Sequence, residues 1–173
     1  MKLVLAVVGA VVLAVIGGAA ALPDHLHVER SLVIAAPAAE IQPLLAEFPQ
    51  RASWIAWVET DPTATYAYTG EPGAIGSTMA WTGPSVGEAQ LTLVSVDPGR
   101  EVVTRMDYRA PLAMTTTDRF VLEPVAGGTR VRWVNDGPLP FGPARVFAVF
   151  ADGLLGPDYE RGLQKLSDLF PTH

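Results

Sequence analysis

Beyond residue 24 the chain changes hydrophobic rhythm several times. Leu26–Ile34 alternates apolar and polar positions and carries β-branched residues, which predicts a strand. Ala35-Ala36-Pro37 then opens a helix, with Ile41, Leu44, Leu45 and Phe48 on one stripe. Pro43 lies inside that stripe and predicts a kink or a split into two short pieces. Arg51–Trp57, with Trp54 and Trp57 three apart, predicts a second helical turn. From Asp61 the period returns to two. Thr65–Thr69, Ser77–Thr82, Glu88–Val96, Arg100–Tyr108, Thr115–Glu123 and Thr129–Asn135 predict six more strands. The turn clusters Gly70–Gly76, Asp97-Pro98-Gly99 and Gly127-Gly128 separate them. Short connections between successive strands suit an antiparallel meander. After the Pro/Gly loop Gly137–Pro143, Ala144–Phe150 predicts a short helix that Gly156-Pro157 breaks. A last helix starts at Pro157, and Leu155, Tyr159, Leu163, Leu166 and Phe170 share one face of it. Strands with helices segregated to one side make an α+β fold.

Composition divides the chain in two. Leu3–Leu22 holds twenty residues without a charged or polar side chain, and only Lys2 supplies charge before it. That length crosses a hydrocarbon core of about 30 Å at 1.5 Å per residue. Residues 1–23 are therefore a cleaved signal peptide, with Ala19-Ala20-Ala21 as the small-residue cleavage site, or a retained transmembrane anchor. Either puts residues 24–173 on the extracytoplasmic side, as one domain. The net charge of -6 comes from 18 Asp+Glu against 12 Lys+Arg, with no basic run, so nucleic acid lacks its electrostatic hold on this chain. The absence of cysteine excludes disulfides, zinc–thiolate sites, iron–sulfur clusters and thiol catalysis. His25, His27 and His173 fall outside the core segments, and nothing in the sequence calls for a metal or a cofactor.

Strand parity sorts the remaining candidates. Alternate residues of each strand face the same way. Met79 with Trp81, Leu91 with Leu93, Val102 with Thr104, Met106 and Tyr108, Phe120 with Leu122, and Val131 with Trp133 form one apolar face. Trp54, Trp57 and the helix residues Leu155, Tyr159, Leu163 and Leu166 complete it. Such residues fill a core in most proteins. Polar groups on the same face are few: Thr104, Thr116, Asp118 and the Tyr108 phenol. Asp118 is the only acid among them. Desolvation would raise its pKa toward that of a general base, whereas an ion pair with Arg119 or with an arginine on a neighbouring strand would make it structural. Arg105, Asp107, Arg130 and Arg132 have the opposite parity and belong to the solvated face. Gly70–Ser77 is no phosphate loop: it lacks the Lys-Ser/Thr ending and leads into no helix.

Several local words carry a resemblance. They are Val28–Ile41 entering the first helix, Trp54-Ile-Ala-Trp57 followed by Asp61-Pro62, Gly70-Glu-Pro-Gly-Ala-Ile-Gly-Ser77, Val96-Asp-Pro-Gly-Arg100, Phe120–Pro124 with Gly127–Trp133, and Asp158–Leu166. In order and wording the chain after Pro23 resembles the START/polyketide-cyclase superfamily (SRPBCC, helix-grip fold), and within it the polyketide cyclase/dehydrase and lipid transport proteins. The resemblance implies a seven-stranded curved antiparallel sheet wrapped around a long carboxyl-terminal helix, with a hydrophobic cavity between them. It makes Trp54, Trp57, Met79, Trp81, Leu91, Leu93, Thr104, Met106, Tyr108, Phe120, Leu122, Trp133, Tyr159 and Leu163 the expected cavity lining. Two functions remain open on that fold. One is retention of a lipid or another hydrophobic small molecule, favoured by an almost wholly apolar lining. The other is a cyclase or dehydrase reaction with Asp118 or Tyr108 as the acid–base group.

Overall fold

The computed structural model describes residues 22–170. The apolar segment Leu3–Leu22, and with it the choice between leader and anchor, lies almost wholly outside the described residues. Among the described residues no helix is long and apolar enough to cross a membrane.

The elements are β1 (His25–Ile34), α1 (Ala38–Ala46), α2 (Phe48–Arg51), α3 (Trp57–Thr60), β2 (Thr65–Thr69), β3 (Thr78–Gly83), β4 (Gly87–Asp97), β5 (Glu101–Ala110), β6 (Met114–Val125), β7 (Gly128–Pro138) and α4 (Pro143–Asp168). The strands form one antiparallel sheet in the order β1-β7-β6-β5-β4-β3-β2. From β2 to β7 it is a meander, and β1 closes the far edge by pairing with β7. The six strands expected after residue 61 are present within three residues of their predicted bounds. Most of them alternate apolar and polar positions and are separated by glycine- or proline-containing turns, the conditions under which local pattern decides structure.

The helices depart from expectation in two places. Pro43 does not split α1, which runs through it to Ala46; the chain breaks instead at Glu47, whose φ of -90° and ψ of 105° are extended. The expected turn over Arg51–Trp57 is resolved into α2, ending at Arg51, and α3, beginning at Trp57. The larger correction concerns Gly156-Pro157. They do not break the terminal helix: α4 is a single helix of 26 residues with Pro157 inside it. A proline there removes a hydrogen bond and costs about 3 kcal/mol. A non-local staple ties the two halves of the helix together across that point. Arg30 shares the inward parity of Leu26 and Val28 on β1, and its guanidinium donates to Asp152 at 2.7 Å and to Glu160 at 2.6 Å. These acids stand one turn before and one turn after Gly156. Gly156 lets the guanidinium lie against the helix, since a Cβ there would sit 2.0 Å from Arg30 Nη2. Both halves of α4 also bury the same face, through Ala144, Ala151, Tyr159, Leu163 and Leu166.

The core lies between the concave face of the sheet and α4, with α1 and α2 closing one side. Val28, Ile41, Leu45, Trp54, Leu91, Val102, Phe120, Val131, Trp133 and Leu166 are all wholly buried. Each such side chain removed from water contributes about 1.5–3 kcal/mol.

Candidate functional site

The inward residues of β5, β6 and β7 stack in rows across the sheet. Val102, Phe120 and Trp133 pair in register as one apolar row. The next row is polar: Thr104 lies opposite Asp118, and Asp118 opposite Asn135. All three are buried. A buried carboxylate requires a partner. Its partner is Arg51, brought by α2 from 67 residues away and likewise without exposed surface. Arg51 donates from Nη2 to Asp118 Oδ2, and the Trp133 indole N–H donates to Oδ1. Thr104 Oγ1 lies 3.3 Å from Asp118 Oδ2 and accepts from Arg51 Nη1 at 3.4 Å. The guanidinium also stands 4.6 Å from the centre of the Phe120 ring, a cation–π contact. Burial pulls the Arg51 pKa down, and Asp118 opposes that pull.

This corrects the expected partner of Asp118. Arg119, its neighbour, has the opposite parity and pairs with Glu101 on the outer face at 2.9 Å. Parity places Asp118 inward as expected, but Arg51, Thr104 and Trp133 take up its oxygens.

Aromatic packing closes this end of the space. Trp133 stacks on Tyr159 of α4 with centroids 4.0 Å apart and planes 3° from parallel. Trp54 meets Phe120 and Trp133 edge-on, at 5.9 and 5.6 Å. The close approach of α4 requires Gly162, where an added Cβ would lie 3.1 Å from Trp133. Trp54, Met79, Leu91, Leu93, Thr104, Phe120, Leu122, Trp133 and Leu163, all expected in the cavity lining, are buried core and do not line the pocket. The sheet and helix have collapsed onto these residues over most of their length.

A pocket of about 190 Å³ remains at one end. Trp57 and Thr60 of α3, Trp81 of β3, Ser85 and Val86 of the β3–β4 hairpin, Met106 and Tyr108 of β5, and Leu155, Asp158 and Tyr159 of α4 line it. Trp57, Trp81, Met106, Tyr108 and Tyr159 are the five expected lining residues that meet there. The hairpin that forms one lip is held by Asp61, a residue that pattern reading passed over. One carboxylate oxygen accepts from the Ser85 backbone N–H at 2.8 Å. The other accepts from the Thr63 hydroxyl at 2.6 Å and the Thr63 N–H at 3.1 Å. These donors, the Thr63 hydroxyl foremost, hold the Asp61 carboxyl below its ordinary pKa. Gly87 ends the hairpin with φ +68°, and a Cβ there would meet the Ala110 carbonyl at 2.4 Å.

Thr60, Ser85, Asp158 and the two tyrosines give the lining its polar groups. Burial raises the pKa of both Tyr108 and Tyr159. Asn135 lies beside both phenols and opposes that rise slightly. It completes hydrogen-bond geometry with neither. The Asn135 amide and the Thr116 hydroxyl are buried polar groups without a partner among the described residues. Asn135 could have been found from its parity with Val131 and Trp133. Arg51 carried no comparable signal, because a lone arginine in a short helix reads as surface.

A family model described as polyketide cyclase / dehydrase and lipid transport matches residues 25–170. The chain belongs to that family. Its fold recurs in solved structures. Protein CV1439 from Chromobacterium violaceum aligns with a TM-score of 0.62 at 14% identity, over 88% of this chain and 100% of that one. Protein Ms6760 from Mycobacterium smegmatis aligns at 0.61 and 18% identity, over 86% and 93%. The Aha1 dimer protein from Colwellia psychrerythraea aligns at 0.56 and 18% identity, over 84% and 96%. At these identities the likeness is one of fold. A search of curated proteins finds no match.

Proposed function

We propose that this domain binds a compact hydrophobic molecule with one polar group, in the pocket between α3, the β3–β4 hairpin and α4. The observation that carries the reading is a small, largely apolar pocket bordered by two tyrosines. Trp57, Trp81, Val86, Met106 and Leu155 offer apolar walls, while Tyr108 and Tyr159 present phenols. Asn135 is buried beside both phenols. Apolar burial at about 25 cal/mol per Å² supplies affinity, and a hydroxyl or carbonyl on the ligand suits the phenols and the amide. Size narrows the class. An apolar cavity of about 150 Å³ holds benzene, so 190 Å³ fits a molecule of one or two rings or a branched fragment, rather than a whole lipid. We also propose that Leu3–Leu22 places the domain on the extracytoplasmic side, by the length and apolarity of that segment.

Binding is favoured over cyclase or dehydrase chemistry because Asp118 is already engaged by Arg51 and Trp133 away from the pocket. Tyr108 does reach the pocket, but burial raises its pKa and makes it a weak acid at neutral pH.

Fluorescence titration of the full chain with 2-naphthol tests the reading, with Trp57 and Trp81 as reporters. Saturable quenching is expected, and Leu155→Trp, which fills the pocket, should abolish it. Quenching that does not saturate, or that survives Leu155→Trp, sinks the proposal. Mass spectrometry of small molecules that co-purify with the chain then identifies the natural ligand.

A further inference from the structure

A surface helix normally turns one apolar face inward and a charged face outward. The second half of α4 does so, exposing Glu160, Arg161 and Gln164. The first half does not. Val146, Val149, Phe150 and Leu154 are 50%, 53%, 60% and 59% exposed, and Phe141 in the preceding loop is 62% exposed. Positions 146, 149, 150 and 154 follow helical spacing, so they form a stripe. That stripe lies opposite Ala144, Ala151 and Leu155, which pack against the core. A helix segment apolar on both faces is built to be covered on both, and a contiguous exposed apolar patch marks an interaction surface.

The topology says what lies next to it. In the antiparallel meander the end of β3, the start of β4, the end of β5, the end of β7 and the start of β1 all fall at one edge of the sheet. The Leu139 N–H donates to the Asp24 carbonyl at 2.8 Å, tying the loop that enters α4 to the first residues of the domain. Only Pro23 and Asp24 separate β1 from the twenty apolar residues Leu3–Leu22. The β3–β4 hairpin at the pocket lip belongs to the same edge.

We propose that the Phe141–Leu154 face docks on the lipid bilayer that Leu3–Leu22 enters. The chemistry favours lipid over a protein partner. From Phe141 to Leu154 the only charged residues are Arg145 and Asp152, and Asp152 is paired with Arg30, so the patch offers little charge for a protein to read. Arg145 lies over the Phe141 ring at 5.4 Å, with an aliphatic stem and a cationic head suited to the interface. On the anchor reading of Leu3–Leu22, a tether two residues away keeps the local concentration of bilayer high, so a modest apolar face suffices. The inference goes beyond the pocket reading and requires no ligand.

The cysteine-free chain makes the test direct. Single variants Val149→Cys and Arg100→Cys of the full chain carry a nitroxide, the latter in the β4–β5 turn at the opposite edge. Electron paramagnetic resonance is recorded in detergent and after reconstitution into phosphatidylcholine vesicles. In vesicles the Val149→Cys label should be far more accessible to oxygen, relative to a water-soluble nickel relaxer, than the Arg100→Cys label, as for a side chain buried at the acyl boundary. The Arg100→Cys label should not change. A Val149→Cys label that stays water-exposed in vesicles overturns the proposal. A label already immobile before vesicles are added also overturns it, because a second copy or residues 3–22 would then cover the face. The triple variant Val146→Ser/Phe150→Ser/Leu154→Ser, altered only at exposed positions, should return the Val149→Cys label to water, while 2-naphthol binding stays as it was.

Discussion

The two ends of the space under α4 are built from the same strands and yet differ in kind. At one end Arg51, Asp118, Trp133 and Tyr159 leave no room, and each oxygen of the carboxylate has a donor. At the other, Trp57, Tyr108 and Val86 diverge around about 190 Å³. The inward rows are one continuous surface, so β-parity cannot account for the difference. What closes the first end is a long side chain delivered from α2. What holds the second open is a hairpin lip drawn toward Asp61. One arginine thus helps to close one end of the space, while strand, helix and hairpin residues together border what is left.

The largest expected effect comes from breaking the closed end. Asp118→Ala leaves the Arg51 charge buried without compensation, which should destabilise the domain by about 3–5 kcal/mol. The double variant Arg51→Met/Asp118→Leu should recover most of that loss, since an ion pair in a dry core often only balances its desolvation. Urea denaturation of the three chains measures both. A single variant that loses less than about 1 kcal/mol would mean that the pair is not sealed from water.

Much of this was legible in the sequence, and the rest was hidden for identifiable reasons. The strands were readable because most alternate and are bounded by glycine or proline turns. Asp118 could be placed inward by parity with Phe120 and Leu122. Its partner could not, because the pairing is set by how α2 packs over β5 and β6. The continuity of α4 was hidden for the same reason. Pro157 is a strong local signal, and what carries the helix through it is non-local: both halves pack on the core, and Arg30 joins β1 to two acids more than a hundred residues later. The extent of the pocket was also invisible, since an inward apolar stripe has the same pattern whether it meets side chains or space.

The helical wall of the open end offers the next test. Arg30 braces α4 on both sides of Gly156, next to the pocket residues Leu155 and Tyr159. Asp152 and Glu160 are well exposed, so Arg30→Ala should cost only about 1 kcal/mol overall. Locally it should do more. Amide hydrogen exchange across residues 153–161 should speed up while that of Leu163–Leu166 holds steady. Unchanged exchange would assign the continuity of α4 to packing alone.

Tyr159 joins the two ends, lining the pocket and stacking on Trp133, and its titration gives a finer test. Burial first, then Tyr108 and Asp118, raise its pKa well above the ordinary phenol value of about 10. The unfolded chain therefore releases this proton first. The stabilising contribution is complete below pH about 10 and declines as pH climbs from there toward the folded-state pKa. Urea midpoints followed from pH 8 to 11 should fall, and Tyr159→Phe should flatten the fall. Equal slopes for the two chains would place the phenol in water.

Asp61 should have the smallest effect on stability and the most local one. Its carboxylate holds the hairpin lip through the Ser85 N–H and anchors the turn after α3 through Thr63. These bonds lower its pKa, so the hold is complete above the ordinary aspartate value of about 4 and is lost as pH falls through the folded-state pKa. Asp61→Asn keeps the size of the group but weakens its acceptors. Ser85 and Val86 should gain amide exchange, and 2-naphthol should bind and leave faster, while the urea midpoint barely moves. The closed end offers the control, because exchange at Trp133 and Asp118 should be the same in both chains. Should Asp61→Asn loosen those strands as well, the lip and the core would be a single cooperative unit, and the division between a fixed core and an adjustable mouth would not hold.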